Sequence, residues 1–373
     1  MNLMTPDYWV VAFVFYIIGL VLCALLRFAE SNTHYKKGKK KYKKEGRITY
    51  FFIYTILILF VLLMKPSYGL LPYLDIFKGM SFYEQSGFFS MDGLYDAQEV
   101  EPLFMLWISA VRSMTHNQTL FIFLSFSYIW ICVLYFSSSF YNRSSFTITF
   151  MAMWPVLIDF IFGMRYAMAV ATCLMAMVFF KNKRYFVGFI LSIAACFIHY
   201  LALVFIMYLC FFFVLTLLFK EKVDSIKVIL LMVAGSAIFT VLGYSVFSSF
   251  RFAYRMTDTV ESNSILSYAP MILFAFVILF YSRKDKMGLG NNLCSLSSYF
   301  NMVMLPITAL WGVYRIPYLF LLPITVELNN LMSQNKRNRL INFITVLVVL
   351  IFSFVKIITM GVQNFSLEYE FNF

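Results

Sequence analysis

"HYKKGKKKYKKEGR", His34 to Arg47, lies between two uninterrupted apolar runs near residues 8–26 and 48–64. Seven lysines between two stretches of bilayer-crossing length form the positive-inside signature of a multi-pass membrane protein. Residues Met1 to Asp7 carry no positive charge, so the first run is expected to be a retained helix and not a secretory signal. The composition agrees: 62% of the 373 residues are hydrophobic, 13% are charged, and mean hydropathy is +0.80. A soluble core cannot bury that much apolar surface. The apolar runs are continuous and do not alternate, so they are helices and not barrel strands. The expected fold is all-α, a polytopic helix bundle forming a single membrane domain over 1–373.

The net charge of +12 invites a nucleic-acid partner. A lysine cluster pinned between two spans is explained by topology and by anionic lipid heads, and nucleic acid is excluded as a partner. The six cysteines, Cys23, Cys132, Cys173, Cys196, Cys210 and Cys294, fall in or beside apolar runs without metal-ligand spacing. They are expected to be packing residues. No phosphate-cradling glycine loop, zinc spacing or Ser-His-Asp pattern appears, and no metal or cofactor is expected.

With His34–Arg47 in the cytoplasm, spans are expected near 8–26, 48–64, 119–138, 146–161, 164–180, 184–198, 200–219, 227–248, 268–282, 294–311, 315–332 and 340–360. That is about twelve, with both termini outside. Each inner turn then carries Lys or Arg, as at 181–184, 220–227 and 283–292. The outer side keeps Lys65, Lys78, Arg112, Arg165, Arg251, Arg255 and Arg315. Arginine dominates there, although lysine dominates inside. A guanidinium captures phosphate or carboxylate as a fork, whereas an ammonium is a point charge.

The two longest outer stretches are 65–118 and 249–267. The first contains "EPLFMLWISAVRSM", Glu101 to Met114, too short and interrupted to cross. It is expected to be a re-entrant or interfacial helix with Pro102 in its first turn. Its apolar face is expected to be Leu103, Leu106 and Trp107, with Arg112 toward solvent. The second outer stretch holds "FRFAYRMTDTVESN".

Arg165 lies in "FIFGMRYAMAV", Phe160 to Val170, inside an apolar stretch. An arginine at a span centre costs about 2.5–3.5 kcal/mol on insertion scales. Two explanations stand: pairing with Asp159 across a turn at Gly163, or an outer mouth that receives an anion. His199, in "ACFIHYLALVF", and Arg315, in "WGVYRIPYLF", fall at comparable outer turns, each beside tyrosine. Glu101 is the carboxylate that opens the short helix. Aromatic residues crowd this side, for membrane-interface reasons or for stacking on sugar rings.

The segments "EPLF" from Glu101, "GMRYAMAVA" from Gly163, "FIHYLALV" from Phe197 and "YRIPYLF" from Tyr314 resemble, in order and spacing, the EpsG-like, Wzy-type polymerases of bacterial O-antigen and exopolysaccharide repeat units. The likeness extends over about 60–360. An Asp that the family often carries after the second helix is missing from "KPSYGLLPYLDIF", where Asp75 is the nearest carboxylate. The resemblance implies a glycosyltransferase-C-like helical membrane fold. It implies an enzyme joining oligosaccharide repeat units carried on undecaprenyl pyrophosphate, at the outer, periplasmic face of the inner membrane. Arg165 and Arg315 are then expected on the pyrophosphate and Arg251 and Arg255 on a second lipid-linked substrate. Tyr200, Tyr314 and Tyr318 would line the site, and Glu101 and His199 would orient or deprotonate the acceptor hydroxyl. A polysaccharide chain-length regulator is the partner such enzymes usually have.

Two other functions share these features. An O-antigen ligase would carry its large outer loop late, and here the larger one comes early. A lipid-linked oligosaccharide flippase or other transporter would need charges along its spans. Apart from Lys356, the expected span centres are nearly free of charge.

Overall fold

The computed structural model describes residues 13–25, 51, 53–59, 61–62, 73–78, 101–140, 150–154, 163–219, 222–223, 230, 234, 237, 273–274, 277–278, 287–288, 293–311, 319–334 and 339–364. Among them the fold is helical: α1 (Pro102–Met114), α2 (Gln118–Phe140), α3 (Met164–Lys181), α4 (Tyr185–Ile198), α5 (Ala202–Phe219), α6 (Leu293–Trp311), α7 (Leu321–Gln334) and α8 (Arg339–Asn364). Further helical residues lie at 13–25, 53–59, 73–78 and 150–154. One departure from all-α is a two-residue antiparallel ladder, β1 (Lys222–Val223) on β2 (Met287–Gly288). It joins two turns that the basic residues assign to the same side.

α2 and α3, at 23 and 18 residues, are long and apolar enough to cross a membrane. Elsewhere the evidence is the exposed surface. On α4, Phe186, Ile190, Ile193 and Phe197 form a helical stripe, each at least 49% exposed. On α8, Leu340, Phe343, Ile344, Leu347 and Ile351 form another, each at least 43% exposed. Outward apolar stripes of this length suit lipid and not water, as in a membrane protein.

The chain divides into two compact units. One comprises Met1–Phe140, Pro155–Leu203 and Ile357–Phe373, the other Tyr141–Trp154 and Val204–Lys356. In the first, Pro102 sits in the opening turn of α1, where its missing amide costs nothing. Asn117 Oδ1 accepts the amides of Thr119 (2.9 Å) and Leu120 (3.4 Å) and so caps α2. The buried face of α1 is Phe104, Met105, Ile108 and Val111, not the expected Leu103, Leu106 and Trp107. Leu106 points outward, and Trp107 lies at the edge, donating Nε1–H to Ser125 Oγ on α2 (2.9 Å). Amphipathicity alone left the phase of so short and apolar a helix open. Against α1 and α2 packs the helical segment 73–78, which lies in the stretch expected as outer loop. Its Tyr73 meets Phe104 edge-on at 5.4 Å, and its Phe77 stacks on Phe121 at 4.6 Å. Arg112 is not turned to solvent either, since its guanidinium sits over the Phe77 ring at 5.3 Å.

α3 is buried on nearly every side between α2 and α4; Arg165, Met175, Phe179 and Lys181 are its only residues not fully buried. Ala167, Ala169, Ala171 and Ala176 let its neighbours approach, as small residues do between membrane helices. The α3–α4 turn is a Schellman motif: Lys183 N–H donates to Phe180 O and Arg184 N–H to Phe179 O. Lys183 holds the left-handed position at φ 60° that glycine usually fills. Lys183→Gly is therefore expected to gain about 1 kcal/mol, read as a higher melting temperature of the purified protein.

Beyond that turn, Gly188 lies against Phe180. An added Cβ would come within 2.2 Å of the Phe180 ring. Edge-on contacts with Tyr185 and Phe189 hold that ring in place. Gly188→Ala should cost about 1–3 kcal/mol by overpacking. It should lower both membrane protein level and melting temperature, because α3 and α4 cannot separate without disturbing the site they carry.

In the second unit, Tyr208 of α5 donates its hydroxyl to Leu293 O and packs against Phe300 (5.6 Å) and Phe320 (5.3 Å). Ser353 of α8 donates to Met151 O at 2.7 Å. The start of α6, Leu293 to Asn301, is buried throughout. There Ser295 donates its hydroxyl to Glu327 of α7. Glu327 is a mid-helix carboxylate that the span-centre count passed over, and the serine partner makes its place there tolerable.

Candidate functional site

The site grows from three places where a helix begins or ends in the first unit. Glu101 precedes Pro102, and a residue before proline is held extended. Its φ of −66° and ψ of 146° swing the side chain away from the helix it opens. It therefore does not cap α1 and reaches elsewhere. Its Oε1 accepts the amide of Tyr200, 99 residues on, at 3.2 Å, and its Oε2 lies 2.7 Å from Arg165 Nη1. Arg165 stands in the first turn of α3, just after the break at Gly163.

His199 ends α4 in an extended conformation, φ −157° and ψ 125°. Its ring is 4% exposed, stacks on Tyr200 at 4.8 Å and meets Tyr166 edge-on at 5.6 Å. Its Nδ1 accepts the amide of Leu201 at 3.2 Å. The turn leading into α5 thus offers two amides, those of Tyr200 and Leu201, and each is taken by a side chain of this cluster. Glu101 and His199 together cap that helix start, where negative charge and acceptor atoms are favoured.

Burial dominates the electrostatics. Burial pushes the Glu101 carboxyl above the ordinary range, while the Arg165 guanidinium and the backbone amides pull it down. Side-chain exposures of 14% for Arg165 and 11% for Glu101 leave the pair enclosed but reachable. Behind it, Tyr128 of α2 and Thr172 of α3 share a 2.7 Å hydrogen bond that fixes the two helices together.

Four of the expected residues, Glu101, Arg165, His199 and Tyr200, are therefore brought together. Arg251, Arg255, Tyr314, Arg315 and Tyr318 lie outside the described residues, as does Asp159. Among the described residues the carboxylate on Arg165 is Glu101. Asp75, the nearest carboxylate to the missing family Asp, is exposed on the 73–78 segment. The sequence did not single out Tyr166, whose ring holds His199 in place. Its position next to Arg165 was the available signal. Among the described residues no group of three or more His, Cys, Asp or Glu side chains is placed to hold a metal ion.

The model of the EpsG family matches residues 47–371, a range that contains Glu101, Arg165, His199 and Arg315. Neither a curated protein nor a solved structure matches the chain.

Proposed function

Because the chain belongs to the EpsG family, a family of polysaccharide-polymerase type, we propose that it joins oligosaccharide repeat units carried on undecaprenyl pyrophosphate into an O-antigen or related surface polysaccharide. The reaction is placed at the periplasmic face of the inner membrane, in a bundle of about twelve spans with a glycosyltransferase-C-like fold. The observation that carries this reading is the Glu101–Arg165 pair at the start of α3, locked to the turn that holds His199.

In the proposed reaction the reducing-end sugar of the growing chain is the donor, and its lipid pyrophosphate leaves. A hydroxyl at the non-reducing end of a fresh unit attacks. Arg165 and Arg315 take the charge that develops on the pyrophosphate, where oriented donors help most. Glu101 holds the Arg165 guanidinium in position. Arg251 and Arg255 serve the second lipid-linked substrate, Tyr200, Tyr314 and Tyr318 line the site, and Glu101 and His199 address the acceptor hydroxyl. A chain-length regulator is the expected partner.

The test is deletion of the gene and gel analysis of surface polysaccharide. A polymerase leaves a single-repeat form and no ladder. A ligase leaves lipid-linked polymer that never reaches its final acceptor, and a flippase leaves no surface repeat unit at all. Either of the last two patterns sinks the proposal. The topology behind it is checked by labelling introduced cysteines from outside: Ser90 and Ser262 positions should react and Gly38 should not.

A further inference from the structure

Glu327 belongs to the second unit and takes no part in the site of the first. From Leu319 to Asn330 it is the one residue that is not buried. On a lipid-facing stripe its neighbours one turn away would be exposed with it, yet Pro323, Ile324 and Asn330 are buried. The carboxylate therefore borders a small gap among the helices. Ser295 of α6 donates to its Oε1. Among the described residues no Lys, Arg or His pairs with it, whereas Glu101 has Arg165. Two oxygens on α6 are also left over. Ser298 Oγ and Asn301 Oδ1 are buried without a hydrogen-bond partner, and each residue is 1% exposed. Ser295, Ser298 and Asn301 follow one another on a single i±3 ridge of α6, which packs against α7.

Burial of the ridge excludes a sugar ring or a lipid head group, so the occupant is small. A proton on Glu327 would neutralise the acid and leave Ser298 and Asn301 unsatisfied. Water would satisfy both and leave an ionised carboxylate uncompensated inside a membrane protein, which is costly. A cation answers both needs, since carboxylate, hydroxyl and amide oxygens are donors that hard ions take. One carboxylate balances one positive charge, and a divalent ion would leave a net charge in the interior. We propose that Glu327, Ser295, Ser298 and Asn301 form a binding site for a monovalent alkali cation, sodium, between α6 and α7. The residues that join these two helices, 312–320, include Tyr314, Arg315 and Tyr318. An ion tying α6 to α7 steadies the pair between which that segment is strung. The site goes beyond the polymerase reading and does not depend on it.

The test uses the purified full chain, titrated with sodium chloride against choline chloride at constant pH and ionic strength. A saturable rise in melting temperature is expected, with radioactive sodium bound at one ion per chain. Glu327→Gln keeps an acceptor for Ser295 and removes the charge. It should bind no sodium, and its melting temperature should not respond to the ion. Asn301→Leu should weaken binding by about tenfold, as for the loss of one contact to a charged group. Folded wild-type protein that binds no sodium overturns the site and leaves water or a proton as the occupant. Sodium binding that survives Glu327→Gln unchanged, or that Asn301→Leu does not weaken, overturns it too, as does a preference for calcium or magnesium. Should Glu327→Gln fail to fold, wild-type binding and the Asn301→Leu titration decide. No arm reads polymer, so failure here leaves the polymerase reading untouched. A protein that binds sodium and makes no polymer counts against that reading alone.

Discussion

Arg165→Lys is expected to lose the polysaccharide ladder almost as completely as Arg165→Ala, by about 100- to 1,000-fold in rate. A lysine ammonium can still neutralise Glu101, so charge balance survives the change. It cannot offer a planar fork, with one nitrogen held by Glu101 and others directed toward a phosphate. If the arginine served only to balance the carboxylate, lysine would restore most of the product. The measurement is ladder intensity in a complemented deletion strain, normalised to membrane protein level. Arg112 is no control for this experiment, because it lies over the Phe77 ring. Lys78, exposed at the end of the 73–78 segment, is the better choice and should tolerate alanine. A full ladder from Arg165→Lys would refute the phosphate role.

Glu101→Gln separates charge from geometry. The amide oxygen can still accept the Tyr200 N–H, but the guanidinium loses its counter-charge. Polymer should fall about 100-fold with the protein still inserted. Glu101→Ala strips both partners and should also cost stability, about 3 kcal/mol for a broken enclosed pair. A pH series adds a sign that is easily checked. Burial raises the Glu101 carboxyl above its ordinary range, so acid protonates it earlier than an exposed glutamate. Activity needs the carboxylate and should decline as pH falls through that raised value. Stability should move the other way. The folded state binds this proton more readily than the unfolded chain, so acidification relieves the burial penalty over the same window. Glu101→Gln should remove both trends. Parallel declines of wild-type activity and melting temperature would rule out Glu101 as their source.

Much of this was legible in the sequence because membrane helices announce themselves. The bounds expected for α3, α4 and α6 differ from those observed by a residue or so, since an apolar run ends where charge or glycine begins. What escaped was whatever depended on phase or on distant partners. The face that α1 buries includes Phe104, which meets Tyr73, a partner that no local pattern in 101–114 encodes. For Arg165 the sequence left open a pairing with Asp159, six residues away, or a mouth that receives an anion. Contact across the fold joins it to Glu101, a partner that no local pattern names. Glu327 was passed over for a related reason: a single acid barely lowers the hydropathy of its window, while its hydroxyl partner comes from another helix.

The bond from Glu101 to Tyr200 also has a consequence in time. The carboxylate leaves the ribosome 99 residues before the amide that donates to it. At ordinary synthesis rates that interval is about 5 to 20 s. Through it the nascent chain carries an acid at the head of a short apolar helix, and the Arg165 guanidinium joins it part-way. The carboxylate gains its second partner only when α4 has been made and the chain has turned. The site thus closes only once the turn that follows α4 has been made. A variant that removes one charge leaves the other exposed to the quality-control proteases of the membrane, so loss of abundance and loss of chemistry must be scored separately.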